Sequence, residues 1–373
     1  MTFATYLVAD HLEIALSELE TLFETQGIVF SRKNTYFLIN NLALHEVATE
    51  SPVILVDKLK VVMRRVALVH GIYEVMKVEL EPVGEWKEDT FFERLDSFLQ
   101  DIDFIDAVPE GLTFKVMVKR NGPISSVRLL KKEAKTIEKL ASFHIVRHTG
   151  AKANLEKPDI SFRLFISENH LVFTRQVHKS DRKALFGRYP SKRPFFHSSA
   201  MRPILIRAMV NLGKAGEKKD MVVMDPFCGT GGFLVELLDI RDKLGLEMKL
   251  LGLDFNKWMV RGTKRNLQPG KANFLSRANA MQLPLKPETV DLIVTDPPYG
   301  INSSTGGIAA ESVINESLTG MARVLKKGGM LVFTITDKVE INYSRTGLKL
   351  LKRFKSRVHS SLTRILYVFE KSE

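Results

Sequence analysis

The chain has 373 residues, 45% of them hydrophobic and 26% charged, an ordinary globular composition long enough for two or three domains of about 150 residues each. Its single cysteine, Cys228, excludes an intrachain disulfide framework and a multi-cysteine zinc site, and fits a reducing compartment. The net charge of +12 is uneven, with nine basic and twenty acidic residues in 1–110 against 46 and 23 in 111–373, so the later two-thirds favours a polyanionic partner.

The first twenty residues carry no basic leader and meet Asp10 and Glu13 early. No apolar run approaches the ~20 residues of a membrane span. A soluble, cytoplasmic protein without membrane attachment is expected. In chain order, residues 1–55 read as a small α+β unit. It has a strand over 3–9, an amphipathic helix over 12–25, and a strand pair, 27–30 and 35–39, around the polar turn 31–34.

A second unit begins near Pro52. Residues 56–76 have apolar positions at helical spacing, as do 89–105; 113–118 alternates as a strand, 127–144 is a basic helix, and 159–176 reads as two strands round a turn at 167–169. Residues 177–194 look like a linker rich in Lys and Arg, with Tyr189 inside it and Phe195 and Phe196 just after. Basic residues interleaved with aromatics suit a phosphate backbone and unstacked bases. A solvated linker has the same composition.

From His197 the pattern alternates. Helices are expected at 200–214, 232–243, 257–268 and 308–325, and strands at 221–224, 250–253, near Phe274, 290–295 and 330–335. A final helix and a hairpin ending in an antiparallel edge strand, 365–370, close the chain. Alternation of this kind builds a parallel sheet with crossover helices.

Between the first strand and helix of that region lies Asp225-Pro-Phe-Cys-Gly-Thr-Gly-Gly232. Its glycines permit a tight turn and close approach of a ligand to a helix N-terminus. No Lys follows them, as a Walker loop requires, and position 234 is Leu where a dinucleotide loop has its third glycine. Asp225 would repel a pyrophosphate but suits an ammonium, which points to S-adenosylmethionine, a ligand bearing an ammonium and a sulfonium. Cys228 reads as a small packed residue rather than a nucleophile. Asp254 ends the next strand and would accept the hydroxyls of a ribose, and Asn279, after the third, would accept from an adenine amino group. Either residue alone is as well explained by a turn or a helix cap.

Thr295-Asp296-Pro-Pro-Tyr-Gly300 ends the apolar strand 290–295. Asp296, the carbonyl of Pro297, the rigid Pro298 and the ring of Tyr299 make an acceptor pair beside a stacking face, suited to an exocyclic amine on a flipped base. Hydrogen bonds from that amine to Asp296 and Pro297 would orient its lone pair towards a methyl donor. A rigid turn capping a buried strand is the alternative. No carboxylate or histidine cluster argues for a metal.

Through DPFCGTGG and DPPYG the chain resembles class I S-adenosylmethionine-dependent N-methyltransferases. PDISFRLFI, RPFFHSSAMRP and VHSSLTR resemble segments of THUMP-containing tRNA guanine-N2 methyltransferases, the archaeal enzymes acting at tRNA position 10 in particular. The resemblance implies a multidomain protein. Residues 1–55 would be a ferredoxin-like α+β domain, 56–177 a THUMP RNA-binding domain, 178–196 a linker, and 197–373 a Rossmann-like α/β methyltransferase domain. It implies a tRNA substrate; no activating partner is evident, and a complete RNA-binding half leads to the expectation of a monomer. The implied cofactor site takes Asp225, Phe227, Cys228, Gly229, Thr230, Gly231 and Gly232 from the glycine turn. Asp254 with Phe255 and Asn279 with Ala280 come from the next two strand ends. Lys119, Arg120, Arg188, Lys192 and Arg193 are the candidate RNA contacts. Many relatives carry Asp where this chain has Asn279. The motifs do not distinguish guanine N2 from adenine N6 or cytosine N4, and a non-catalytic RNA-binding factor would share the basic surface.

Overall fold

The computed structural model describes residues 1–39, 41–47, 51–79, 88–120, 124–167, 170–267, 270–298, 309–359 and 362–372. The elements of the first half are β1 (Thr2–Leu7), α1 (Leu12–Thr25), β2 (Phe30–Ile39), β3 (Leu42–Val47), α2 (Pro52–Met63), β4 (Val69–Glu79), α3 (Glu88–Gln100), β5 (Thr113–Arg120), α4 (Ile124–Thr149), β6 (Lys152–Ala153), β7 (Ile160–Ile166) and β8 (Leu171–Lys179). The second half follows with α5 (Arg182–Gly187), α6 (Pro203–Leu212), β9 (Val222–Asp225), α7 (Gly232–Leu244), β10 (Lys249–Asp254), α8 (Lys257–Leu267), β11 (Phe274–Arg277), β12 (Val290–Thr295), α9 (Ala310–Val324), β13 (Leu325–Thr336), β14 (Leu348–His359) and β15 (Leu362–Lys371).

The chain divides into two compact units. The first comprises residues 1–12, 27–63 and 69–180, and its eight strands lie in the order β2-β3-β1-β4-β8-β7-β5-β6. Phe91, Phe98, Phe104, Phe114, Phe162 and Phe173 are buried together beneath this sheet and its helices, where large apolar area removed from water is the main stabilising term. Two expectations are corrected. The pair expected over 27–39 is one strand, Phe30–Ile39, whose partner is Leu42–Val47. The stretch 56–76 is helical only to Met63, and Val69–Glu79 is a strand between β1 and β8. Its β-branched and aromatic residues (Val69, Ile72, Tyr73, Val75) suit a pleated, paired surface, and pairing on both sides overrides local helical spacing.

The second unit comprises residues 181–373 with 13–26 and 64–68. Helix α1 therefore belongs to it. Glu18 is buried there and accepts hydrogen bonds from the Ala67 and Leu68 amides at 2.9 Å and from Asn211 Nδ2 at 2.7 Å. The unit's seven-stranded mixed sheet runs β11-β10-β9-β12-β13-β15-β14. Strands β9 to β13 pair in parallel, while β15 is antiparallel to β13 and to β14. No helix lies between β13 and β14; residues 337–347 cross as turns, and the edge strand is β14 rather than β15. Leu366 and Phe369 of β15 are buried on the sheet, so an interior place suits it and the more basic β14 takes the rim. From β9 the chain moves outward to β10 and β11, then returns to β12 on the other side of β9. The crevice beyond the C-terminal ends of β9 and β12 is thus a topological switch point, where open α/β sheets bind ligands.

Candidate active site

The glycine turn follows β9 directly. The Cys228 amide donates to Leu253 O at 2.8 Å and the Gly229 amide to Asp254 Oδ2 at 2.8 Å, tying the turn to the neighbouring strand end. Gly231 caps α7 with φ +80°, a conformation that disfavours side chains. A Cβ there would meet Thr263 Cγ2 at 2.9 Å, and one on Gly232 would meet Ile206 Cδ1 at 2.8 Å. From α8, Thr263 Oγ1 donates to Gly229 O at 2.7 Å and Asn266 Nδ2 to Thr230 O at 2.9 Å. The turn is held from beneath, leaving its other side to a ligand.

Asp225 is fully buried. Its Oδ1 accepts from Thr295 Oγ1 at 2.7 Å and from the Phe227 amide at 3.2 Å, but among the described residues its Oδ2 has no partner. Burial, reinforced by the nearby Asp254 and Asp296 charges, pushes its carboxyl up to about 8. A buried, half-satisfied carboxylate is costly unless a cation completes it. That fits the ammonium of S-adenosylmethionine. Asp254 accepts from the Gly229 and Asn256 amides at 2.8 Å, one on each oxygen, and keeps a further lone pair on each for hydroxyls. Burial raises its carboxyl too. Asn279 already uses its amide oxygen on the Met281 amide at 3.0 Å, as the cap of a short 3-10 turn. Its place after the third strand is as expected; its acceptor is shared with the backbone.

Asp296, one residue beyond β12, accepts from Thr334 Oγ1 at 2.6 Å through Oδ1 and pairs with Arg364 at 3.4 Å through Oδ2. Burial pushes its carboxyl above the usual range, and Arg364 and Thr334 oppose that shift. Pro297 is buried and Pro298 half-buried. Tyr299 lies outside the described residues. One pocket is lined by Asp225, Phe227, Cys228, Gly229, Thr230 and Gly232 of the turn and by Asp296. Two segments 70 residues apart thus face one space. Ser199, Ala200, Met201 and Met259 also line it.

The Cys228 thiol is buried and pushed well above its usual value by that burial, so it packs rather than reacts. Phe255 is exposed, with the Arg277 guanidinium 5.2 Å from its ring centroid, and Ala280 is buried. Among the expected RNA contacts, Lys119 Nζ lies 5.2 Å from the Tyr6 ring centroid, Arg120 is half-buried at the end of β5, and Lys192 is exposed. Arg188 and Arg193 are placed differently from these three. Arg188 pairs with Glu236 at 2.7 Å and Asp239 at 3.2 Å, and Arg207 binds the same two carboxylates. The terminal guanidinium nitrogens of Arg193 are buried, and its Nε donates to Arg188 O at 3.0 Å. Arg188 and Arg193 are both half-buried in this unit.

Sequence reading missed Thr295, Thr334, Arg364, Thr263 and Asn266. Thr295 immediately precedes Asp296 and Arg364 closes VHSSLTR, so two carried a local signal; the other three sit in strands and helices with none. Among the described residues no group of three His, Cys, Asp or Glu side chains could hold a metal ion, and no helix is long and apolar enough to cross a membrane.

The family described as "UPF0020: RMKL-like, methyltransferase domain" matches residues 190–365. The tRNA (guanine(10)-N2)-dimethyltransferase of Methanothermobacter thermautotrophicus is 32% identical over 378 aligned residues, covering 100% of both chains. The chain belongs to this tRNA (guanine(10)-N2)-dimethyltransferase family. The enzyme of that name from Methanocaldococcus jannaschii is 34% identical over 291 residues, 75% of this chain and 77% of that one. Among solved structures, TrmN from Thermus thermophilus superposes with a TM-score of 0.53 at 17% identity, covering 100% of each chain. SMU.472 complexed with SAH does so at 0.50 and 15% identity, covering 100% of this chain and 98% of that one. These likenesses establish the class I methyltransferase fold of the seven-stranded sheet.

Proposed function

We propose that this chain transfers methyl groups from S-adenosylmethionine to the exocyclic N2 of a guanosine at position 10 of tRNA, once and then a second time. The observation that carries the chemistry is a pocket lined by both the glycine turn and Asp296; the names of the relatives support the base and the position. S-adenosylmethionine, when bound, supplies an electrophilic methyl group on a sulfonium. Asp225 Oδ2 receives the ammonium, Asp254 the ribose hydroxyls, and the glycines permit the close approach. In the first transfer Asp296 and the Pro297 carbonyl accept the two N–H groups of the base, and in the second one of them accepts the N–H that remains, which restores density to a nitrogen otherwise delocalised into the ring. Thr334 and Arg364 fix the carboxylate so that its free lone pairs point one way. A carboxyl raised by burial is also suited to take the proton that the amine releases.

Residues 1–55 and 56–177, apart from 13–26 and 64–68 that fold with the methyltransferase unit, supply the ferredoxin-like and THUMP parts of an RNA-binding half, with Lys119 and Arg120 as contacts, and Lys192 adds one from the 178–196 segment. Tyr299 stacks on the flipped base. The chain works as a cytoplasmic monomer. The test is to incubate it with unmodified tRNA and labelled S-adenosylmethionine, digest to nucleosides and identify the products by mass spectrometry. N2-methylguanosine and N2,N2-dimethylguanosine from position 10 are expected; N6-methyladenosine or N4-methylcytidine would overturn the assignment of the base.

A further inference from the structure

Between Asp254 and Glu288 the chain has seven basic residues and no acidic one. Helix α8 carries four of them, and Lys257, Arg261, Lys264 and Arg265 fall at i, i+4, i+7 and i+8, a single face of a helix with 3.6 residues per turn. All four are exposed, and among the described residues none has a carboxylate partner. Trp258 borders this face, 60% exposed, with its edge against Phe195. The opposite face is buried through Gly262, Thr263 and Leu267.

An ordinary solvated helix face mixes the two signs of charge, because like charges at i, i+4 repel by a few tenths of a kcal/mol per pair. Lys257, in the first turn, also opposes the helix dipole. A face that accepts both costs and keeps a large aromatic side chain in water is built for a polyanion with unstacked rings.

We propose that the Lys257–Arg265 face of α8 is a docking surface for the tRNA substrate, its cations on successive phosphates and Trp258 beneath an unpaired base. This rests on the tRNA reading above and places an RNA contact on the methyltransferase unit itself. The same helix holds the glycine turn through Thr263 and Asn266 and lines the pocket with Met259. RNA bound on its outer face is then about one helix diameter, roughly 10 Å, from the cofactor turn. Docking therefore delivers the target base to the pocket from a surface rigidly joined to it.

The test compares the full chain with its Arg261→Ala/Lys264→Ala/Arg265→Ala variant and with Trp258→Ala, by fluorescence anisotropy on labelled tRNA across 50–300 mM salt. S-adenosylhomocysteine binding by calorimetry serves as the folding control. The triple variant should lose about two to three from the slope of log affinity against log salt, one for each phosphate contact removed. Trp258→Ala should weaken binding roughly 5- to 100-fold with the slope unchanged. Both should bind S-adenosylhomocysteine as the parent does. Unchanged tRNA affinity and slope in the variants would overturn the surface, even if the parent chain methylates guanosine; an acidic protein as the true occupant would give that result. Loss of S-adenosylhomocysteine binding in step with tRNA binding would also overturn it, by showing only a structural role. Absence of methyl transfer by the parent, with the slope loss intact, would overturn the catalytic reading and leave the surface standing.

Discussion

Thr295 Oγ1 donates to Asp225 Oδ1 across 2.7 Å, and this bond joins the last residue of β12 to the last residue of β9. It is the point at which the cofactor turn and the base-binding corner become one site. It also fixes which oxygen of Asp225 is left free. Replacing Thr295 with Val keeps the shape and removes the donor, leaving a buried carboxylate with one partner fewer at a cost of about 1–3 kcal/mol. S-adenosylmethionine affinity, read by calorimetry, should fall about 5- to 100-fold, while kcat with saturating cofactor changes much less. An unaltered affinity would show that Thr295 has no part in orienting Asp225.

The free oxygen has a pH consequence. Asp225 is held near pKa 8 against an ordinary 3.8, so the group is neutral in the empty site at pH 6.5. Binding an ammonium there should expel close to one proton, measurable by calorimetry in buffers of different ionisation enthalpy and absent in Asp225→Asn. Because the folded value is raised, the group's favourable contribution to stability is complete below about pH 4 and is lost as pH rises through 8. Asp225→Asn should therefore raise the melting temperature of the empty chain by more at pH 9 than at pH 5.

Asp296→Ala should lower kcat by about 10²- to 10⁴-fold, the range for losing a positioned proton acceptor. tRNA affinity by anisotropy should remain within a factor of about two to three, since one corner of a pocket supplies little of a polyelectrolyte interaction. Arg364→Lys, which keeps the charge but loses the planar fork, should fall between the two chains. Equal turnover of Asp296→Ala and the parent would remove Asp296 from the chemistry.

At Gly231 both φ and space are demanding. A methyl group in the left-handed region costs roughly 1–2 kcal/mol, and the 2.9 Å approach to Thr263 Cγ2 adds to it. Gly231→Ala should weaken cofactor binding at least tenfold. Adding Thr263→Ser, which keeps the hydroxyl that holds Gly229 O, should restore part of that loss.

Glu236 is fully buried between Arg188 and Arg207. Glu236→Ala leaves two guanidinium groups short of a partner, and a buried pair broken from one side costs about 3–5 kcal/mol. Chemical denaturation of the methyltransferase unit should register that loss; a change under 1 kcal/mol would mean that water reaches the network.

Much of the site was legible in the sequence because its backbone parts are local. A glycine turn after an apolar strand, an acid at the next strand end and Asp-Pro-Pro after another each declare themselves within eight residues. The order of strand ends along one sheet edge follows from strand–helix alternation alone. The side chains that tune the site are not local. Thr334 and Arg364 reach Asp296 from 38 and 68 residues away, on strands whose neighbours are set by the sheet order.

Charge divides the same way. The sequence by itself determined that the later two-thirds of the chain is strongly basic, since that is a sum over residues. Only the tertiary structure decided which cations face outward. It paired Arg188 with Glu236 and Asp239, covered the guanidinium of Arg193 and left the α8 cations exposed, because a cation is neutralised only by a carboxylate that folding brings within a few ångströms, and sequence distance does not carry that information.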